Sequence, residues 1–525
     1  MSKKGLIIIL SLLTAAGAYA QPSAQTKKQN KQSFEEFRKG ILSDYQEFRQ
    51  TLLDRYADFL NGEWHEYESY NGVKRDSKPK PRTVPKISEK PQPEAVPGGT
   101  VIGSPAGPAS PAPKTAPSTP APAEPAKQTK PEPAKKPIEP KPAVEPKPSA
   151  EPKPAAEPRK PKVDEFSFYG LPMQMPQIEF NITDKLYSNN DYAAQWRSLQ
   201  NADVAAQVLP EIKAIADEVG LNDYLTYQLI QFYIDSKFPK ADMTSRMAAV
   251  HYLLANLGYD ARIAVTGGGI PLLLIPFKQT IYSRTYMMIG NKKFYVFEPE
   301  GYSLSQTGPQ QIMTCRLPED INNGKSMDLR LGELRIPEKP KAFVFEYGPI
   351  HLTGEVNENI MPVLYHYPQM PVGDFAVSNI QPKLREQLVK QMKSQLDGLE
   401  GDDAVAALLS FMHSVFDYAT DEDFHGFEKP YFLEETLYYP KNDCEDRAIF
   451  YTYFLWNALG REAQLISFPG HEAATVKLDK PVEGTCYDYQ GETYYISDPT
   501  FIGSKTGMIM PPYKNETPNI DYTFK

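Results

Sequence analysis

The hydrophobic pattern changes character several times along the chain. A short apolar run, Leu6 to Leu13, follows Lys3-Lys4 and precedes Ala18-Tyr19-Ala20. This three-part layout predicts a secretory signal peptide over 1–20. Over 33–62 the apolar positions Phe34, Phe37, Ile41, Tyr45, Phe48, Leu52, Tyr56 and Phe59 recur at helical spacing. Ser33 and Glu36 supply a capping box, so an amphipathic helix is predicted with an aromatic stripe and a mixed-charge opposite face. Periodicity is then lost over 75–162 and resumes at 163. From there it predicts helices at Tyr224 to Phe238, Ser245 to Gly258, Gln381 to Leu396, Asp402 to Tyr418 and Ala448 to Leu459. Strands are predicted at Ile263 to Val265, Phe294 to Phe297, Met327 to Leu331, Ala342 to Tyr347, His351 to Val356, His471 to Val476 and Tyr494 to Ile496.

These elements predict an α+β protein, and parts of the pattern recur. The helix ending Asn256-Leu257-Gly258, followed by Ile263-Ala264-Val265, parallels the helix ending Ala458-Leu459-Gly460, followed by Gln464-Leu465-Ile466. Phe294 to Pro299 likewise parallels Tyr494 to Pro499. A duplicated unit is therefore expected: a first copy over 163–310, a β-rich connector over 311–375 and a second copy over 376–525. Counted from the glycine that ends each helix, Cys444 matches Asp242 and His471 matches Gly269. The first copy then lacks the residue types that give the second its chemistry.

Composition adds limits. The tract at 75–162 is rich in Pro, Ala, Lys and Glu, which favours extended, solvated chain, so it is expected to be a disordered spacer. The net charge is −9 and no basic block interleaves with aromatics outside that tract, which argues against nucleic acid. No later run is apolar enough for an integral membrane segment, so an exported periplasmic or secreted protein is expected. The aromatic stripe of helix 33–60 must be covered by a protein partner, by self-association or by the chain's own globular part. Three cysteines occur, Cys315, Cys444 and Cys486. Cys315 and Cys486 could pair, which their spacing does not decide. No His/Cys cluster has metal-ligand spacing and no cofactor motif is present; Thr266 to Gly269 lacks the pattern of a phosphate loop. Asp421 to Gly426 has the acidity of a calcium loop, but Phe432 stands where the bidentate Glu is required. It is expected to be a solvated loop bordering a cleft. His351 and His366 are expected to be structural.

The candidate chemistry lies in the second copy. Asn442 and Asp443 are good caps for the helix that follows, so Cys444 sits at a helix start, where the macrodipole favours the thiolate. Downstream, His471 begins one strand and Asp498 ends another, in the order nucleophile, base, orienting group. With the lead-in Phe432-Leu433-Glu434-Glu435-Thr436-Leu437 and the box Asp443-Cys444-Glu445-Asp446, residues 395–510 resemble the transglutaminase-like superfamily, a papain-like cysteine enzyme group, and in particular its bacterial branch. Asn442 stands where that box usually has Gly. The resemblance implies a helix bearing Cys444 packed on an antiparallel sheet. It also implies a Cys444–His471–Asp498 triad and a thioester intermediate on a peptide or carboxamide substrate. Hydrolysis is expected rather than cross-linking. The competing expectation is an exported scaffold or binding protein that uses the same fold without catalysis.

Overall fold

The structure is a computed structural model that describes residues 162–304, 311–314 and 324–525, with scattered positions between Thr51 and Glu89. The signal peptide, most of helix 33–62, nearly all of the linker and Cys315 lie outside the described residues.

The hairpin β1 (Val163–Phe168) and β2 (Leu171–Pro176) leads into four helices, α1 (Asn189–Asn201), α2 (Val204–Val219), α3 (Asp223–Lys237) and α4 (Met243–Asn256). Five strands follow: β3 (Arg262–Thr266), β4 (Pro271–Ile275), β5 (Tyr286–Ile289), β6 (Lys292–Phe297) and β7 (Ile312–Thr314). They form an antiparallel sheet in the order β7-β3-β4-β6-β5, with His65–Glu66 added beside β7. A hairpin of β8 (Pro340–Tyr347) and β9 (Ile350–Asn357) comes next, then the short helices α5 (Met361–Tyr365) and α6 (Val372–Val377). Five further helices follow: α7 (Pro382–Leu396), α8 (Asp403–Val415), α9 (Asp421–Phe424), α10 (Leu433–Tyr438) and α11 (Cys444–Asn457). The chain ends in β10 (Ala463–Phe468), β11 (His471–Val476), β12 (Thr485–Tyr489), β13 (Glu492–Ile496) and β14 (Asn519–Phe524).

The second sheet has the order β14-β10-β11-β13-β12, with Ser88–Glu89 added beside β12. Strand for strand, this is the order of the first sheet. The helix before each sheet packs on its first two strands, α4 on β3 and β4, α11 on β10 and β11. The fold is thus mixed α+β with two antiparallel sheets, and one hydrophobic core runs from Ala57 to Phe524 through both halves. Helix α7 braces the β8–β9 hairpin with glutamines one turn apart. Gln391 and Gln395 each exchange two hydrogen bonds with the β9 backbone, at Thr353 and His351, which covers an otherwise unpaired edge.

Several expectations need correcting. Met327 to Leu331 is no strand: Met327 joins Phe277 in an isolated bridge, and the segment runs extended without a ladder. The first strand of the connector, β7, belongs to the first sheet, and its other described elements are one hairpin and short helices. Helix α4 begins at Met243 with Asp242 as its cap, and α11 begins at Cys444 with Asp443 as its cap. The residue placed like Cys444 is therefore Met243; counting from the glycines is off by one because α11 ends a residue further from its glycine. The linker's start also shifts, since Asp76 pairs with Lys293 at 2.6 Å and Ser88–Glu89 joins the sheet. At the end of helix 33–62, Ala57 and Leu60 are buried in the chain's own core, and Asp58 pairs with Arg197 of α1 at 2.5 Å. The aromatic stripe of that helix, Phe34 to Phe59, lies outside the described residues.

Candidate active site

Helix α11 starts at a turn built from long-range contacts. Asn442 Oδ1 accepts from Arg447 Nε at 2.8 Å, and Arg447 Nη2 donates to the Phe416 carbonyl at 2.8 Å. Asn442 thus has a structural use: its amide holds a buried guanidinium one turn into the helix. Asp446 at the third helical position reaches back to accept from the Asp443 N–H at 3.2 Å, and its other oxygen accepts from the Tyr431 N–H at 2.7 Å. The lead-in is equally buried. Glu434 receives Arg385 through two bonds of 2.7 Å, and Glu435 receives Lys429 at 2.9 Å.

Cys444 carries a free thiol as the first residue of α11. Its Sγ lies 3.1 Å from Glu445 Oε2 and accepts from the Glu472 N–H at 3.5 Å. His471 is the neighbour of Glu472 and opens β11 after the two-residue turn Pro469-Gly470, opposite Phe468. His471 Nε2 lies 2.8 Å from Asp498 Oδ2. Both side chains are buried, and Tyr513 covers the imidazole in a parallel stack at 5.2 Å. Asp498 is fixed from behind: its Oδ1 accepts from Thr500 N–H at 2.8 Å, and its backbone carbonyl lies 3.1 Å from His413 Nε2. Because His413 Nδ1 accepts from the Gly503 N–H at 3.3 Å, the His413 proton is on Nε2 and donates to Asp498. Burial lowers the His413 pKa, which keeps that ring neutral. Of the predicted residues, His471 and Asp498 are therefore directly bonded, and Cys444 lies against the backbone of the residue after His471.

The electrostatics differ from the expectation of a preformed thiolate. Burial, then the carboxylates of Glu445 and Asp443, push the Cys444 thiol well above its ordinary value, and the Glu472 amide opposes this only in part. The helix terminus is outweighed because two acidic side chains flank the sulfur. The loop expected to be solvated is exposed at Glu422, Asp423, Phe424 and Gly426, but Asp421 is buried, accepts from the Lys429 N–H and is pushed up to about 7, chiefly by burial, then by Glu445 and Glu428. Asp443 and Asp446 are raised too, by burial and by their acidic neighbours. Oxygens of Asp421, Glu428 and Glu445, and of Asp421, Asp443 and Asp446, lie within 4.8 Å of one another, close enough to share a proton or a hard cation. His425 points into an aromatic cluster and hydrogen-bonds the Tyr431 hydroxyl. His351 pairs with Glu346 at 3.2 Å on the surface.

Three neighbours were not legible in the sequence: His413, Tyr513 and Tyr418. Tyr418 is half exposed, and its hydroxyl is pushed up to about 12 by burial and by the nearby Cys444, Asp443 and Glu445. Its backbone pairs with that of Asn442, two residues before Cys444, in a short parallel ladder. A cavity of about 320 Å³ opens beside His471 and Glu472.

No protein-family model matches this chain, and no curated protein matches it. No helix among the described residues is long and apolar enough to cross a membrane.

Proposed function

We propose that the chain is an exported transglutaminase-like cysteine enzyme that acts on peptide or carboxamide bonds, hydrolysing them rather than cross-linking. The observation that carries this reading is the buried His471–Asp498 pair, with the amide next to it pointing at the sulfur of a helix-first cysteine. Its support from the fold is a Cys-bearing helix on an antiparallel sheet, the arrangement the family resemblance implies. The shared strand order of the two sheets supports a duplicated ancestor. The first copy then lacks chemistry, with Met243 where the second has Cys444.

In the proposed mechanism His471 is a general base, because the thiol holds its proton at neutral pH. Asp498 occupies Nε2 and fixes the tautomer, leaving Nδ1 to take the thiol proton as sulfur bonds to the carbonyl carbon. The backbone N–H of Cys444, at the helix start, is the donor offered to the oxyanion. His471 then returns the proton to the nitrogen as the C–N bond breaks, releasing an amine and leaving a thioester. Water attacks the thioester with His471 again as base, giving a carboxylic acid and the free thiol.

One observation favours the scaffold reading instead: a thiol raised by two carboxylates is a poor resting nucleophile. The test is digestion of a peptide pool, read by mass spectrometry. The enzyme reading expects new termini with the wild type and none with Cys444→Ala or His471→Ala. Absence of any Cys444-dependent product from the wild type would leave the scaffold.

A further inference from the structure

The β8–β9 hairpin has two outer edges, and only one of them is covered. On the β9 side the N–H and C=O groups of His351 and Thr353 turn outward, where Gln395 and Gln391 take them up at 2.8 to 3.0 Å. Residues directly opposite one another in an antiparallel ladder either bond to each other or both turn outward. His351 and Thr353 lie opposite Glu346 and Val344, and Glu355 lies opposite Ala342. The N–H and C=O groups of Ala342, Val344 and Glu346 therefore point away from β9, along the other edge. Among the described residues nothing bonds to them there. All three residues are exposed, Val344 by 62%.

Such an edge is commonly blunted by a proline or a bulge. From Lys341 to Tyr347 β8 has neither: its ladder runs without a register shift, and Ala342 to Phe345 is an apolar, strand-forming run. The outward residues are an odd number, so a two-fold axis can pass through the middle one, Val344. Antiparallel pairing of β8 with its own copy then sets Val344 against Val344, with Ala342 against Glu346 on either side. Each of these pairs would exchange two main-chain bonds, so every outward group finds a partner. The charges agree with this direction. Lys341 reaches the Tyr438 carbonyl and no carboxylate among the described residues, and Glu346 meets only the exposed His351. Antiparallel self-pairing brings the basic start of each strand beside the acidic end of the other. It also sets Tyr347, 46% exposed, opposite Lys341.

We infer that β8 is the contact between two copies of this chain, which join edge to edge in a four-stranded sheet, β9-β8-β8-β9, across a two-fold axis at Val344. The glutamine brace then has a second consequence. By capping the far edge of each hairpin it closes the assembly at two copies and prevents a growing fibre. The contact is independent of the chemistry at Cys444.

The test is sedimentation velocity of the full chain over a range of concentrations. The wild type should pass from monomer to dimer. Val344→Lys and Val344→Glu each set like charges face to face on the axis, and each should weaken the dimer at least about tenfold. An equal mixture of the two variants should restore it, which also shows that both are folded. Val344→Cys should form a disulfide-linked dimer on oxidation, since residues paired in this way lie about 5.5 Å apart at Cα, within reach of the bond. Ala342→Cys should cross-link no more than the wild type, because its two copies lie about 13 Å apart along the strands. A wild type that stays monomeric up to about 100 μM would overturn the inference. So would a dimer that survives Val344→Lys, which would place the contact elsewhere, or single variants that do not recombine.

Discussion

At Cys444 the positive end of α11 pulls the thiol proton off, while burial and the carboxylates of Glu445 and Asp443 hold it on, and the second group wins. The same burial acts on the acids themselves. Asp421 is held up to about 7 in the folded protein, against about 4 for an unfolded aspartate. The folded state therefore binds a proton that the unfolded chain has released. The stabilisation is complete below about pH 4 and is lost as pH rises through about 7. In a chelating buffer the melting temperature should be a few degrees higher at pH 5 than at pH 8, as differential scanning calorimetry would show; a rise between those values would contradict the protonated cluster. Glu434 presents the opposite case, a buried acid with a full partner. Glu434→Ala would strand the Arg385 guanidinium, also buried, and should cost about 3–5 kcal/mol in urea unfolding. A loss below about 1 kcal/mol, as for an exposed pair, would show that the guanidinium finds water.

At the scale of elements, the glycines near the site have physical work to do. Gly484 has φ +131°, and a Cβ there would meet the Gly507 carbonyl oxygen at 2.2 Å. That contact belongs to a bridge: Thr485 N–H donates to Gly507 O at 2.8 Å, and Gly507 N–H to Ile496 O at 2.7 Å, two residues before Asp498. Gly484→Ala should cost about 2 kcal/mol or more through strain and clash, and should lower catalysis beyond what the loss of folded protein explains. An unchanged melting temperature would contradict it. The elements legible in the sequence were those with strong local periodicity. Asp223–Lys237, Pro382–Leu396 and the β8–β9 hairpin fall within a residue or two of their predicted spans. Met327 to Leu331 misled because its alternation is real: Met327, Leu329 and Leu331 are all buried. Alternation reports which face is buried, and only a partner strand makes a ladder. Helix α2 was hidden by Pro210 in its interior. Of the candidate site, Cys444, His471 and Asp498 were legible from order and local context. His413 and Tyr513 were not, because their meaning lies in contacts with residues far along the chain. The thiol's electrostatics were misread because the helix end is a local signal, whereas burial is a property of the whole fold.

At the scale of the molecule, two sheets of the same strand order share one core, and Tyr282 of the first half lines the cavity beside His471 of the second. The chain is better understood as one body with one site than as two domains joined by a connector. Every functional claim about that body depends on whether Cys444 and His471 act together. The direct measurement is the rate of Cys444 alkylation by iodoacetamide across pH, in the wild type and in His471→Ala. A general-base pair expects the wild type to react at neutral pH at least about tenfold faster than His471→Ala. The two rates should converge only at high pH, where the thiol ionises without help. Superimposable profiles for the two proteins would mean that the imidazole does not serve the thiol, and would contradict the account at its centre.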